Sequence, residues 1–477
     1  MQNRSHDHNV LDTTRISSLL MKLSAPMFFG IFIQNIYQIV DTIFVGRYVG
    51  SDGLAALAIV MPIQMIVFGA GNMVSIGGSS LISRLIGQRK QQKAERALGN
   101  SIFFGIIISI IVTLIIIPFV TFWLKLMGAS SNVMPFARQY LLIVIGGTIF
   151  NVTGAVLLSL ARSEGNARVV MISMIIQSVL NICLDAFFMV GLKMGIAGPA
   201  IAMVISQGVA LIYVLSYYFM GSSYLKLHIR NFIPDMVVVR DIFAIGGSQL
   251  IKAGADCLSA TMIVKMVGRY GGDIGLSTFN ILMRIMNFAS MPGMIFGQAM
   301  QPVLGFNYGA KRTNQVLKSI TYPVLSAMAC GAAMLLVLVL IPSPIIKLFT
   351  DDLPLINSSI HASRIMFLGL AVFNFYAVGQ LVFPSIGKAM STFLVSVLRP
   401  LLLITPAALI LPRIFGTNGV WMIFPVTDTA SFLLVLGFLI PLIVRFRKKA
   451  AVEKAAVPIQ SSVKEPLDAP LSSESAE

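Results

Sequence analysis

Residues 45–54 read VGRYVGSDGL, and residues 267–276 read VGRYGGDIGL, 222 positions further on. The shared register pairs Val45-Gly46-Arg47-Tyr48 with Val267-Gly268-Arg269-Tyr270, Gly50 with Gly272, and Gly53-Leu54 with Gly275-Leu276. Outward from this stretch it runs without a gap through Met61 and Met283 and Gly71 and Gly293. It reaches Gly87 and Gly309, which precede the basic pairs Arg89-Lys90 and Lys311-Arg312. Further on, Gly165-Asn166-Ala167 meets Gly387-Lys388-Ala389, and after a slip of one, Gly195 and Gly198 meet Gly416 and Gly419. A match of composition alone does not hold one register across loops and apolar runs, so the chain is read as a duplication.

The medium in which the two copies fold follows from composition. Of 477 residues, 56% are hydrophobic and 11% charged, against about 25% charged in a typical soluble domain. No single aqueous core buries so much apolar surface, so most of the chain faces lipid. Apolar runs long enough to cross a bilayer place helices near 18–45, 54–83, 97–125, 136–161, 168–191 and 196–220. The second copy supplies 240–268, 276–304, 316–348, 357–384, 390–412 and 418–445. The expected fold is therefore an all-α polytopic membrane protein of about twelve spans in two pseudo-symmetric six-helix bundles around a central cavity. Its segments are an N-terminal piece at 1–17, bundles at 18–220 and 240–445, a linker at 221–239, and a tail at 446–477 too poor in apolar residues to form a core. Six is even, so both copies enter the membrane from the same side and are related by an axis along its normal. Paired bundles of this kind open to each side in turn, which points to a transporter.

The net charge of +16 is carried mainly by loops at 84–96, 162–168, 221–240 and 311–318 and by the termini, as expected where basic loops stay cytoplasmic and meet anionic headgroups. Both termini are accordingly placed in the cytoplasm, in an inner (cell) membrane. Nucleic-acid binding is excluded by the lack of a basic domain or an aromatic stacking platform. Cys183, Cys257 and Cys330 lie in apolar runs without His at a metal-ligand spacing. No apolar core with a cleavage site precedes the first span, so that span is expected to be its own anchor. No nucleophile with a buried base and no His metal motif is found, which excludes an intramembrane enzyme.

Val40-Asp41-Thr42-Ile43-Phe44-Val45-Gly46 after Pro26, followed by Gly53-Leu54-Ala55-Ala56, resembles the first helix of multidrug and toxic compound extrusion (MATE) transporters. Asn181 and Asp185 in the fifth span resemble the same family, most closely its DinF-like branch, and the resemblance covers residues 17–445. It implies an antiporter that exports small, cationic or amphipathic organic compounds in exchange for protons or sodium by alternating access, working as a monomer without a cofactor. It assigns ion coupling to Asp41 and Asp185 with Asn181 as neighbour, and these three are the ligands if the ion is Na+. Where the branch offers a Thr hydroxyl from the sixth span, this chain has Ala202-Met203, with Ser206 a turn away. Proton and sodium coupling both stay open. In this family, bending of the first helix has been linked to the protonation of its acid, which makes Pro26 a candidate hinge. A flippase or exporter of a lipid-linked or other anionic metabolite is the alternative within the same superfamily.

Four carboxylates fall inside the spans: Asp41, Asp185, Asp256 and Asp428. Each costs roughly 2.5 to 3.5 kcal/mol at a helix centre and so needs a partner, a wet cavity or a task. Residues three, four or seven apart share a helix face. Gln34, Tyr37 and Asp41 therefore form one polar stripe, and Gln177, Asn181 and Asp185 another. If the first and fifth helices pack together, the two acids meet, and side by side in low dielectric they do not both stay ionised. Buried hydrogen bonding that holds helices together is the competing reading of these stripes. Asn151 is a further candidate for the cavity. Asp256 follows Lys252 by one turn, the spacing of an intrahelical ion pair, and is also a candidate substrate or coupling acid. Asp428 has Arg284, Arg364 and Arg399 as candidate partners. Arg284 is expected to be buried, where it serves as gate or counter-ion.

Overall fold

The structure is a computed structural model that describes residues 10–220 and 223–455. The first copy comprises α1 (Ile16–Tyr48), α2 (Ser51–Gly87), α3 (Gln91–Ile116), α4 (Val120–Leu126), α5 (Met134–Gly146), α6 (Thr148–Ser163), α7 (Ala167–Asp185) and α8 (Ala197–Phe219). The second comprises α9 (Met236–Gly309), α10 (Thr313–Leu340), α11 (Pro342–Lys347), α12 (Leu353–Met366), α13 (Leu370–Ser385), α14 (Ala389–Leu398) and α15 (Thr405–Ala455). The last helix runs well past residue 446, where the tail was expected to begin; the tail beyond residue 455 and the segment before residue 10 lie outside the described residues.

Among the described residues twelve crossings result. Eight continuous segments are long and apolar enough to span a bilayer, and α5 with α6 makes a ninth that bends by 49° at its break. Gly416, at φ 58°, divides the segment 389–452 into two spans. The 74-residue α9 breaks at Gly272, also at φ 58°, and supplies two more. These breaks answer the internal repeat directly. Gly50 and Gly272, Gly165 and Gly387, and Gly195 and Gly416 all hold positive φ, a conformation that glycine adopts without a Cβ penalty. Sequence similarity between the copies thus records the turns that both must make. The fourth span is interrupted at equivalent glycines, at Gly147 in the first copy and at the 3₁₀ turn Phe367–Gly369 in the second.

The two halves pack unevenly. One apolar core contains residues of both halves, among them Leu81, Ile82, Leu160, Ile242, Val303, Leu304, Val382 and Leu439, and it lies at the end that carries the basic loops. Toward the other end the core separates into one cluster from the second half only, around Leu282, Phe367 and Trp421, and one from the first half only, around Val60, Leu141 and Val152. The halves are closed on each other at the basic end and part toward the opposite end.

Helices α2 and α9 make the closed seam, and glycine lets their backbones touch. A Cβ on Gly246 would sit 1.7 Å from the Met73 carbonyl oxygen, and one on Gly77 2.2 Å from that of Ile242. Gly87 faces Phe306 and Gly309 faces Arg84 in the same way. Ser80 donates to the Pro384 carbonyl and Arg162 to the Gln298 side chain, both across the seam. The connection between the halves is strapped to the first of them. Asn100 donates to the carbonyls of Asn231 (2.9 Å) and Ile233 (3.1 Å) and accepts from the Asp235 N–H at 2.8 Å. Buried Glu164, just beyond α6, accepts from the hydroxyls of Tyr217 and Ser223, both at 2.8 Å, and from the Tyr224 N–H at 3.1 Å. Burial pushes the Glu164 carboxyl up to about 7 in spite of these donors.

Gly246→Val is expected to lower stability in detergent by about 1 to 3 kcal/mol, the usual cost of overpacking. Gly247→Val, where a Cβ meets nothing within 4 Å, serves as the comparison. Thermal unfolding of both variants checks this; equal losses would show that the seam does not depend on the close approach.

Candidate functional site

Helix α1 packs along α7. The approach is close at Gly30, whose Cβ would meet Met174 Sδ at 2.9 Å. This contact sets the registers so that Asp41, two turns from the end of α1, and Asp185, the last residue of α7, come together. The two carboxyls stand within hydrogen-bonding reach of each other. Such a contact between acids requires a shared proton or a cation, because two ionised carboxylates repel strongly out of water. Asp185 is fully buried and Asp41 half-buried.

Neighbouring groups define what the pair can accept. With its amide turned so that both ends are satisfied, Asn181 donates to Asp185 Oδ2 at 3.2 Å and accepts from the Met203 N–H of α8 at 3.2 Å. Its nitrogen, not its oxygen, then faces the carboxylate. Asp185 Oδ1 has no donor. Ser206 donates to the Met203 carbonyl at 2.9 Å, so the hydroxyl nearest the missing Thr position is committed to its own helix. Tyr37, one turn before Asp41, lies close to both acids. A π-helical turn, Ala186–Gly191, begins immediately after Asp185, a distortion frequent at functional sites.

Two members of the cluster were not anticipated. Tyr140 of α5 is buried near both carboxyls, and its hydroxyl engages the side chain of Gln64 on α2. Gln64 gave no clear signal, since α2 carries a second amide at Asn72. Tyr140 gave none, since a tyrosine in a span is ordinarily packing. Gln34, Gln177 and Asn151 are half-buried and make no side-chain hydrogen bond among the described residues.

The second half uses its charges differently. Lys252 Nζ lies 2.6 Å from Asp256 Oδ2, which realises the intrahelical pair expected from their spacing. Arg399 Nη2 lies 2.7 Å from Asp428 Oδ1, and its guanidinium stands 5.0 Å and 4.9 Å from the ring centres of Phe373 and Tyr376. Of the three candidate partners of Asp428, the structure selects Arg399. Arg284 departs from expectation. It is exposed, not buried, and has no ion pair among the described residues, because the packed face of this arm of α9 is taken by Ile281, Leu282, Ile285 and Met286. Pro26 sits inside α1, which runs through it as one helix. Among the described residues no group of three or more His, Cys, Asp or Glu side chains is placed to hold a metal ion, so any cation at Asp41 and Asp185 would have two carboxylates and neutral oxygens as ligands.

Compared with known proteins, the chain matches the MatE family profile over residues 26–187 and 257–410. Multidrug export protein MepA of Staphylococcus haemolyticus is 22% identical over 449 residues, 94% of this chain and 97% of that one. A solved outward-facing multidrug resistance MATE family transporter of the MOP superfamily superposes with a TM-score of 0.87 at 23% identity, covering 92% of this chain and 98% of its own. A MATE protein solved in the straight conformation gives 0.87 at 23% identity, with 94% and 100% covered.

The Arg399 and Asp428 pair is packed against Phe373 and Tyr376. Asp428→Asn is expected to destabilise the protein by about 3 to 5 kcal/mol, since it leaves a buried guanidinium uncompensated. Arg399→Leu combined with Asp428→Leu should recover most of that loss. Thermal unfolding checks both, and a double variant no better than the single one would contradict the assignment.

Proposed function

From the premise that the chain belongs to the multidrug and toxic compound extrusion family of membrane transporters, we propose that it is a secondary antiporter that exports small cationic or amphipathic organic compounds, driven by inward flow of a cation taken up at Asp41 and Asp185. The observation that carries this reading is the meeting of these two carboxyls on α1 and α7. Such a pair changes its need for a proton or cation as the helices around it move. MepA is by name a multidrug exporter, which supports the substrate class.

A proton is the coupling ion favoured by the local chemistry. Asn181 turns a donor toward Asp185, and the Ser206 hydroxyl is spent on its own backbone, so few neutral oxygens remain for sodium, which prefers several oxygen ligands. By the positive-inside rule the basic loops support a cytoplasmic location for the closed end, with the parted end facing outward. In this orientation protonation of the pair releases substrate outside, and the reloaded protein returns inward. One charge moving down about 150 mV supplies roughly 3.5 kcal/mol, sufficient for a substrate gradient of a few hundredfold.

The amides of Gln34, Gln177 and Asn151, together with Tyr37, supply polar contacts to substrate without fixing its shape. Asp256 is neutralised by Lys252 and takes no part in coupling.

Dye efflux from everted vesicles under an imposed proton or sodium gradient tests the reading. Asp41→Asn and Asp185→Asn are each expected to reduce efflux to the level seen without a gradient, whereas Asp256→Asn keeps gradient-driven efflux. Wild-type rates from both coupling variants would overturn the assignment of the site, and efflux that responds to sodium alone would overturn the assignment of the ion.

A further inference from the structure

At the closed end, a cavity of about 790 Å³ opens between the halves, lined by Arg89 and Lys90 from the α2–α3 loop, Tyr308, Lys311 and Arg312 from the α9–α10 loop, and Lys449 from α15. Among the described residues no carboxylate lines it. Asp12 reaches Arg312 from outside at 2.6 Å, while Arg89, Lys90, Lys311 and Lys449 have no ion-pair partner among the described residues.

The two loops are built alike. Arg89 and Lys311, which are equivalent in the repeat, both adopt left-handed backbone, at φ 57° and 58°, a conformation costly to any residue with a Cβ. The N–H groups of Arg89 and Lys90 bond back to Ile86 and Leu85, and those of Lys311 and Arg312 to Tyr308 and Asn307. Two helix ends are thus locked by the same cap, and each presents adjacent cations at a fixed position. Asn or Gly would hold such a cap with less strain, but both copies place a cation there. Several like charges around one cavity repel unless an anion neutralises them.

We propose that this cavity binds a phosphate-bearing anion, either the headgroup of an acidic phospholipid or a soluble polyphosphate, and that the anion holds the two halves together at the basic end. Several cations converging on one volume favour a ligand with more than one negative oxygen, and the Arg fork beside Lys point charges matches phosphate. The edge-to-face pair of Tyr308 and Phe446 gives the cavity an apolar wall beside the charges. Both halves contribute, so the site is complete only while Gly87 touches Phe306 and Gly309 touches Arg84. A ligand that binds this arrangement alone shifts the population toward it. The inference does not depend on which compounds are exported or which cation drives export.

The test uses full-length protein in phosphatidylcholine nanodiscs, with two probes: tripolyphosphate by calorimetry, and phosphatidylglycerol doped into the disc and counted by native mass spectrometry. The variant Lys90→Gln/Lys311→Gln/Lys449→Gln is compared with Lys22→Gln/Lys318→Gln/Lys388→Gln, which removes as much charge from the same end outside the cavity. Wild type and the second variant should bind at least one probe about a hundredfold more tightly than the first, and that probe should slow amide exchange in 84–90 and 305–313. Selective binding of the lipid alone identifies a headgroup site, and selective binding of tripolyphosphate in neutral discs a soluble ligand. Equal affinity of the two triple variants for both probes would overturn the proposal, as would binding that leaves exchange in these two loops unchanged.

Discussion

The contact on which the architecture depends is the backbone-to-backbone seam of α2 and α9. Gly77, Gly87, Gly246 and Gly309 each bring a helix against a carbonyl group of the other half, and side chains such as Leu81, Ile242 and Val303 pack around these contacts. In lipid, helices gain little by hiding apolar surface from one another and associate through close packing, so glycine at these positions does what a leucine core does in water. The consequence is geometric. A shared core forms at the basic end, the two bundles keep separate cores at the other, and the space between them opens away from the seam.

Within that frame the duplication has been used asymmetrically. The scaffold repeats down to the φ angles of its turns, but the charges do not. Asp41 corresponds to Ile263, and Asp256 to Gln34. In the second half the two acids inside the spans are each paired with a base, Asp256 with Lys252 and Asp428 with Arg399. In the first half the two acids inside the spans, Asp41 and Asp185, face each other, with an amide and two tyrosine hydroxyls nearby and no base among the described residues. A neutralised pair resists change, whereas an unneutralised acid pair responds to whatever cation arrives. This difference supports the proposal that ion coupling lies in the first half.

The sequence made some of this legible and left the rest hidden for physical reasons. The positive-φ glycines could be read because a turn constrains its own residue, so Gly50 and Gly272 or Gly165 and Gly387 stay recognisable after other positions have drifted. The meeting of Asp41 with Asp185 could be anticipated because helical periodicity places each on a polar stripe. Tyr140 and Gln64 could not, since their place beside the acids comes from the packing of α5 and α2, which no local pattern encodes. The choice of Arg399 over Arg284 for Asp428 was equally invisible, because it depends on which helix faces turn inward. The strapping of the connection by Asn100 and Glu164 joins residues more than fifty positions apart.

On the proposed exchange, the halves move relative to each other under the control of the acid pair in the first half. The most direct measurement is the spin-label distance between Ser51→Cys and Asp273→Cys, equivalent positions at the parted ends, in protein whose three cysteines are replaced by serine and which is held in lipid nanodiscs. The account predicts a distribution with a long and a short distance whose populations change with pH and with added dye substrate, and a distribution that no longer responds to pH once Asp41→Asn and Asp185→Asn are introduced. A single distance that ignores pH, sodium and dye, or a pH response that survives loss of both acids, would contradict it.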